Sequence, residues 1–329
     1  MRQPRIKLDP QDGEAVYHCM SRTVNGQRLF DDTAREVLRR QLWLVAEYCG
    51  VEILTYAVLH NHFHVLALVP HQSVPPNDGE LLRRYQLLYP KPTRYQASRL
   101  SVIQAQLATN GPEAVLWRRR QLALMGDISQ FMKLLKQRFS IWFNKSHRRF
   151  GTLWSERFKS ILIEPAGDAL RATAAYVDLN LVRAGLVSDP KDGRFCGYAE
   201  AVAGKNMARR GLIRVLGLAD WTEAHATYRL LLFGTGTVAR EHKHTISTEQ
   251  FQRILREGGR LPLAKVLRCR VRYFTDGAVL GSKAFVAEEL ARFCQRSGRR
   301  QGAEPIMVPA VTDWGALATL RGLRRVAIG

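Results

Sequence analysis

Residues 59–69, Leu-His-Asn-His-Phe-His-Val-Leu-Ala-Leu-Val, constrain this chain more than any other stretch. An apolar run of this kind, rich in Val and Leu and closed by Pro70, predicts a buried β-strand. Strand side chains alternate between faces, so His62 and His64 share one face while Phe63 and Val65 share the other. Two neighbouring imidazoles on one face can hold a divalent ion between them. On spacing alone, the pair is equally well explained as strand histidines satisfied by solvent or backbone.

The elements around this strand have a recognisable order. Residues 15–22 form a first strand, and Asp31-Asp32 precede a helical pattern carried by Val37, Leu38, Leu42, Val45 and Ala46. Gly50 ends that helix, residues 51–59 make a second strand, and the histidine strand follows as the other half of a tight hairpin. From 71 to 126 the pattern is broken by Pro75, Pro76, Pro90 and Pro92 and made basic by arginines, which predicts a helical or partly ordered insertion. Asp127 caps the next helix, with Ile128, Phe131, Met132, Leu135, Phe139, Trp142 and Phe143 on its apolar face. Lys133 and Lys136 lie on the opposite face, either as a solvated stripe or as a track for phosphates. A strand over 155–164 comes next, with Arg157 and Lys159 on one side as candidate phosphate anchors. A helix then runs from Asp168 to about Arg183.

This β-α-β-β-(insertion)-α-β order predicts an α+β fold, a ferredoxin-like four-stranded antiparallel sheet with one open face across which the following helix can lie. Residues 10–200 would form that domain. Residues 205–329 would form a basic, mostly helical region, with helical patterns at 208–216, 222–232, 248–256 and 282–293 and an Asp276-Gly277 turn.

Charge narrows the partner. The chain of 329 residues has 50 Lys and Arg against 29 Asp and Glu, a net charge of +21. Such an excess repels itself in a compact state and points to a polyanion, nucleic acid before an anionic membrane surface. There is no run of 18 apolar residues, so no membrane-spanning helix is expected. The first residues lack the apolar core of a signal peptide, and the five cysteines are scattered without a CxxC. Together these predict a reducing, cytoplasmic, nucleoid-associated setting.

The helix over 168–183 carries the remaining chemistry. Tyr176, Asn180 and Arg183 stand at i, i+4 and i+7 and line one face. Leu170, Ala174, Val177 and Leu181 line another. A phenol can act as nucleophile, an amide oxygen can complete a hard-metal site with two imidazoles, and a guanidinium can hold a phosphate bidentately. A Tyr and an Asn four apart on a helix are common, so this face is informative only in combination.

The combination is His62-Phe63-His64, Gly-Thr-Leu-Trp-Ser-Glu-Arg-Phe-Lys-Ser at 151–160, and Tyr-Val-Asp-Leu-Asn-Leu-Val-Arg-Ala-Gly-Leu-Val at 176–187. In this order the motifs resemble those of the single-tyrosine HUH transposases, most closely the REP-associated tyrosine transposase group, over roughly residues 10–200. The resemblance implies an enzyme that cleaves and rejoins single-stranded DNA near hairpins. By that likeness His62, His64 and Asn180 are metal ligands for Mg²⁺ or Mn²⁺, although imidazoles also accept Zn, Co or Ni. Tyr176 is the nucleophile that forms a 5′-phosphotyrosine. Arg157, Lys159, Arg183, Lys133 and Lys136 are the expected DNA contacts. His60 stands where the family usually has Pro, and Leu181 where Pro is common. The rival reading is a module that binds hairpin or single-stranded nucleic acid without cutting it. Oligomeric state stays open, a homodimer included, because related proteins place the tyrosine helix in cis or in trans.

Overall fold

The histidine strand lies inside the sheet, paired on both sides. The computed structural model describes residues 5–8, 13–72, 74–91, 99–233, 267, 274, 275, 277–297, 304–308 and 316–320. Strand β1 (Ala15–Arg22) leads to α1 (Asp32–Cys49), and the chain returns through β2 (Glu52–Val58) and β3 (His62–Val69). Three helices fill the basic insertion: α2 (Asp78–Leu88), α3 (Leu100–Thr109) and α4 (Pro112–Leu122). Then come α5 (Ile128–Ser146), β4 (Lys159–Ile163), α6 (Gly167–Asp178) and the short α7 (Asn180–Arg183). The pairings β2–β3, β3–β1 and β1–β4 are all antiparallel.

Local chemistry sets the ends of the helices. The Asp31 carboxylate accepts from the Ala34 backbone N–H at 2.7 Å, and Gly50 closes α1 at φ 65°. Asp127 caps α5 in the same way, accepting from the backbone N–H groups of Ser129 and Gln130. The apolar face expected for α5 is buried, with Trp142 only half-buried at its edge. Both sheet faces are covered. On the Phe63 side, the Phe63 ring meets Trp154 at 5.6 Å, and Trp154 and Phe30 in turn pack on Phe139 of α5. On the histidine side lie α6 and, after α8 (Gly197–Val202), helix α9 (Asn206–Leu216), which rests on β2. Helix α10 (Trp221–Phe233) packs behind α6 and α9.

The closeness of α9 to β2 depends on one residue. A β-carbon at Gly211 would lie 2.6 Å from the Ile53 carbonyl oxygen and 2.9 Å from the Leu54 Cα. Only glycine permits that approach.

Two expectations need correction. The strand expected over 155–164 is only β4, because residues before Lys159 form turns and a bridge from Thr23 to Trp154. Among the described residues the sheet has seven strands rather than four. The additional strands are β5 (Val279–Ser282), β6 (Ile306–Met307) and β7 (Leu317–Leu320), with α11 (Lys283–Ser297) following β5, and the order is β2-β3-β1-β4-β5-β7-β6. The described part of the region 205–329 is mostly helical, as expected, but its strands extend the same sheet. Without β5 the outer edge of β4 would present unpaired backbone groups. Instead β5 pairs with β4 in parallel, with Leu162 opposite Val279 and Ile163 opposite Leu280. Strands of two to four residues are too short for an alternation pattern to register. The helix expected over 248–256 and Asp276 of the expected turn lie outside the described residues.

Candidate active site

Register brings the site together. Met20 is opposite His64 and Arg22 is opposite His62 across β1 and β3, so all four side chains point to the same face. Helix α6 crosses that face, packed on β2, β3 and β5. The result is a cavity of about 350 Å³ whose lining includes His62, His64, Tyr176, Asn180 and Arg183. Residues from β3 and from a helix more than a hundred positions later thus meet in one pocket.

The His62 and His64 rings lie edge to face, with centroids 5.2 Å apart. Nδ1 of His62 is 2.6 Å from the Asn61 side-chain oxygen, while the Asn61 amide nitrogen donates to the Gly26 carbonyl at 2.8 Å. Nδ1 of His64 is 2.9 Å from Nε2 of His18, whose own Nδ1 is 2.7 Å from the Phe274 carbonyl oxygen. Burial holds His64 neutral, well below the ordinary histidine range, with His18, His62 and two arginines adding to the effect. Burial likewise pushes His18 down to about 4, against the opposing pull of the Phe274 carbonyl. Neutral imidazoles are the form that binds metal.

Tyr176 is only 2% exposed. Its ring stacks on Phe274 at 4.8 Å, and the Arg183 guanidinium covers it at 3.9 Å. Asn180 sits one turn further on, where its side-chain nitrogen donates to the carbonyls of Tyr176 and Val177 at 3.1 Å each. That fixes the amide and leaves its oxygen as the end suited to a cation. Arg183 was expected to grip a phosphate with its fork. It lines the pocket, but its two terminal nitrogens donate to the carbonyls of Leu267 and Tyr176. Its fork is therefore used to hold the tyrosine turn in place.

The cations divide into two groups. Arg157 and Lys159 line the pocket beside Arg183 and Arg22, with Glu156 the only acid among the described residues of its lining. Lys133 and Lys136 do not line it, because α5 covers the other face of the sheet. Lys133 is exposed, whereas the Lys136 ammonium donates to the Glu156 carbonyl at 2.9 Å and sits over Trp154. Burial, with Arg5 nearby, pushes Lys136 down to about 8. His60 is turned away to the Phe30 carbonyl at 3.0 Å and is not part of the pocket lining.

Among the described residues, no three His, Cys, Asp or Glu side chains come together as a metal cluster. The available donor set is two imidazoles and one amide oxygen, a mixed hard and borderline set that fits Mn²⁺ or Mg²⁺ completed by water. It would leave positions open for phosphate oxygens, as a catalytic site requires.

No family model matches the chain, and no curated protein matches it. A solved structure is similar. It is a REP-associated tyrosine transposase bound to a REP hairpin, 16% identical, with a TM-score of 0.35 over 62% of this chain and 87% of that one. At that identity and score the likeness decides nothing about the site, which stands on its own geometry.

Three residues in or behind the site were not singled out from sequence. His18 and Arg22 alternate with Met20 on β1, and a histidine inside an apolar strand at that parity was the available signal. Asp178, between Tyr176 and Asn180, is fully buried and faces away from the pocket lining. It accepts from the Thr55 hydroxyl at 2.6 Å, the Tyr228 hydroxyl at 2.5 Å, the Cys196 thiol at 3.1 Å and the Tyr198 N–H at 3.4 Å. Burial pushes it up to about 6 despite those donors.

Proposed function

We propose that this chain is a metal-dependent single-tyrosine transposase of the HUH type that cleaves and rejoins single-stranded DNA at hairpin-associated repeats. The observation that carries the reading is the convergence of His62, His64, Tyr176 and Asn180 on one cavity. The path β1-α1-β2-β3-α5-β4, with strand order β2-β3-β1-β4, supports the ferredoxin-like arrangement that such an enzyme would use.

The pocket suits a phosphodiester. Arg22, Arg157 and Lys159 bring positive charge to its wall and would draw the backbone in. A divalent ion held by His62, His64 and Asn180 would supply Lewis-acid polarisation of the scissile phosphate. Tyr176 is held between Phe274 and Arg183, which limits the orientations its hydroxyl can take. Attack by the phenol oxygen on phosphorus forms a tyrosine–5′-phosphate bond and releases the 3′ oxygen as a hydroxyl. The phosphodiester energy is retained, so the reverse attack by a 3′-OH rejoins DNA without ATP.

A covalent trace separates this reading from a water-using nuclease and from a binding module. With Mn²⁺ and a 3′-labelled hairpin oligonucleotide, wild-type protein should give a labelled band that survives denaturing gels and vanishes with protease. Tyr176→Phe removes one oxygen, so it should bind the oligonucleotide and form no adduct. An adduct formed by the Phe variant would refute Tyr176 as the nucleophile.

A further inference from the structure

The proton positions around the two pocket histidines follow from what their partners can accept. The Phe274 carbonyl oxygen has no proton to give, so Nδ1 of His18 must donate to it. His18 is fully buried and has no carboxylate among its hydrogen-bond partners, so its ring carries a single proton and its Nε2 is an acceptor. The 2.9 Å contact to His64 then requires His64 to donate from its own Nδ1. The same reasoning applies to the other ligand. The Asn61 amide nitrogen is committed to the Gly26 carbonyl, so the Asn61 oxygen faces His62 and must accept from its Nδ1. Both histidines thus donate from Nδ1, and His64, held neutral by burial, keeps its lone pair on Nε2.

We propose that His18 and Asn61 are positioning residues that hold His64 and His62 by their Nδ1–H groups, turning the Nε2 side of each ring toward a divalent cation. This rests on the metal-dependent reading of the pocket given above. His18 would otherwise pass for a third imidazole ligand. Its Nε2 is instead taken by His64, which makes it a support for a ligand. Two independent backbone carbonyls, of Phe274 and Gly26, anchor the two supports. The Phe274 anchor comes from the C-terminal region, so that region completes the arrangement around His64. Supports of this kind orient the ring and raise the basicity of the coordinating nitrogen.

The test uses the full chain and Mn²⁺ alone, without DNA. Long-range ¹H–¹⁵N spectra of the metal-free protein read the tautomers directly, and His62 and His64 should both show a protonated Nδ1. Mn²⁺ binding followed by electron paramagnetic resonance should weaken about 10- to 100-fold in His18→Leu and in Asn61→Ala. His18→Gln keeps an oxygen acceptor where Nε2 stood and should recover most of the affinity. A packing role alone would not produce that recovery. If wild-type protein fails to bind Mn²⁺, the metal reading of the pocket falls, while the spectra still judge the tautomers. If wild-type protein binds Mn²⁺ but His18→Leu binds it equally well, or either histidine lacks a proton on Nδ1, the positioning role is wrong.

Discussion

Asp178 offers the sharpest test of how this site is held, because α6 carries both Tyr176 and the turn to Asn180. Four donors converge on its carboxylate, from β2, from the turn into α8, from α8 itself and from α10, and none is a cation. Removing the carboxylate with Asp178→Ala would strand several of them in the interior. A buried donor left unpaired costs about 1–3 kcal/mol, so a loss of about 4 kcal/mol is expected even if two of the hydroxyls find other acceptors. Domains of ordinary stability have only about 5–15 kcal/mol in hand. Asp178→Asn keeps one acceptor oxygen and lets the Tyr228 hydroxyl turn to receive the amide, so about 1–2 kcal/mol should suffice. The pH response separates the two further. The native carboxyl titrates at about 6, above its ordinary value of 3.8, so the folded state binds a proton more tightly than the unfolded chain. Its stabilising effect is complete below pH 4 and is lost as pH rises through 6, a swing of about 3 kcal/mol at most. Urea unfolding at pH 4.5 and pH 7 measures it. The wild type should lose stability relative to Asp178→Asn between the two. An Asp178→Ala protein within 1 kcal/mol of wild type, or a difference from Asp178→Asn that does not vary with pH, would refute the reasoning.

Three other expectations follow from the same geometry. Gly211→Ala should lower stability by about 2 kcal/mol or more in chemical denaturation, because the new methyl meets the β2 backbone, which cannot yield like a side chain. The His62→Ala, His64→Ala double variant should lose Mn²⁺-dependent nicking of hairpin oligonucleotides, and nicking at the wild-type rate would disprove the site. Single-stranded DNA affinity should fall with salt at about −0.7 in log–log slope per phosphate contact. Neutralising Arg157 and Lys159 together should flatten that slope more than neutralising Lys133, which is remote from the pocket.

What the sequence determined by itself is local and periodic. The parity of His62 and His64, the i, i+4, i+7 face of Tyr176, Asn180 and Arg183, the caps at Asp31 and Asp127 and the apolar face of α5 all depend on bond geometry within a few residues. Each of these is present in the structure. Tertiary structure decided which of these surfaces meet. The β1–β3 register sets Met20 against His64 and so brings His18 within reach of it, a relation no spacing along one strand contains. Lys133 and Arg157 look alike as cations in the sequence, yet the sheet puts them on opposite sides of itself. Arg183 could be identified as a guanidinium on the right helical face. Only packing revealed that its donors serve carbonyls, because an unpaired carbonyl near a buried turn draws the closest strong donor. The C-terminal strands were hidden for the same reason. A strand of four residues has too little pattern to declare itself, and it exists because the edge of β4, far away in sequence, needs a partner.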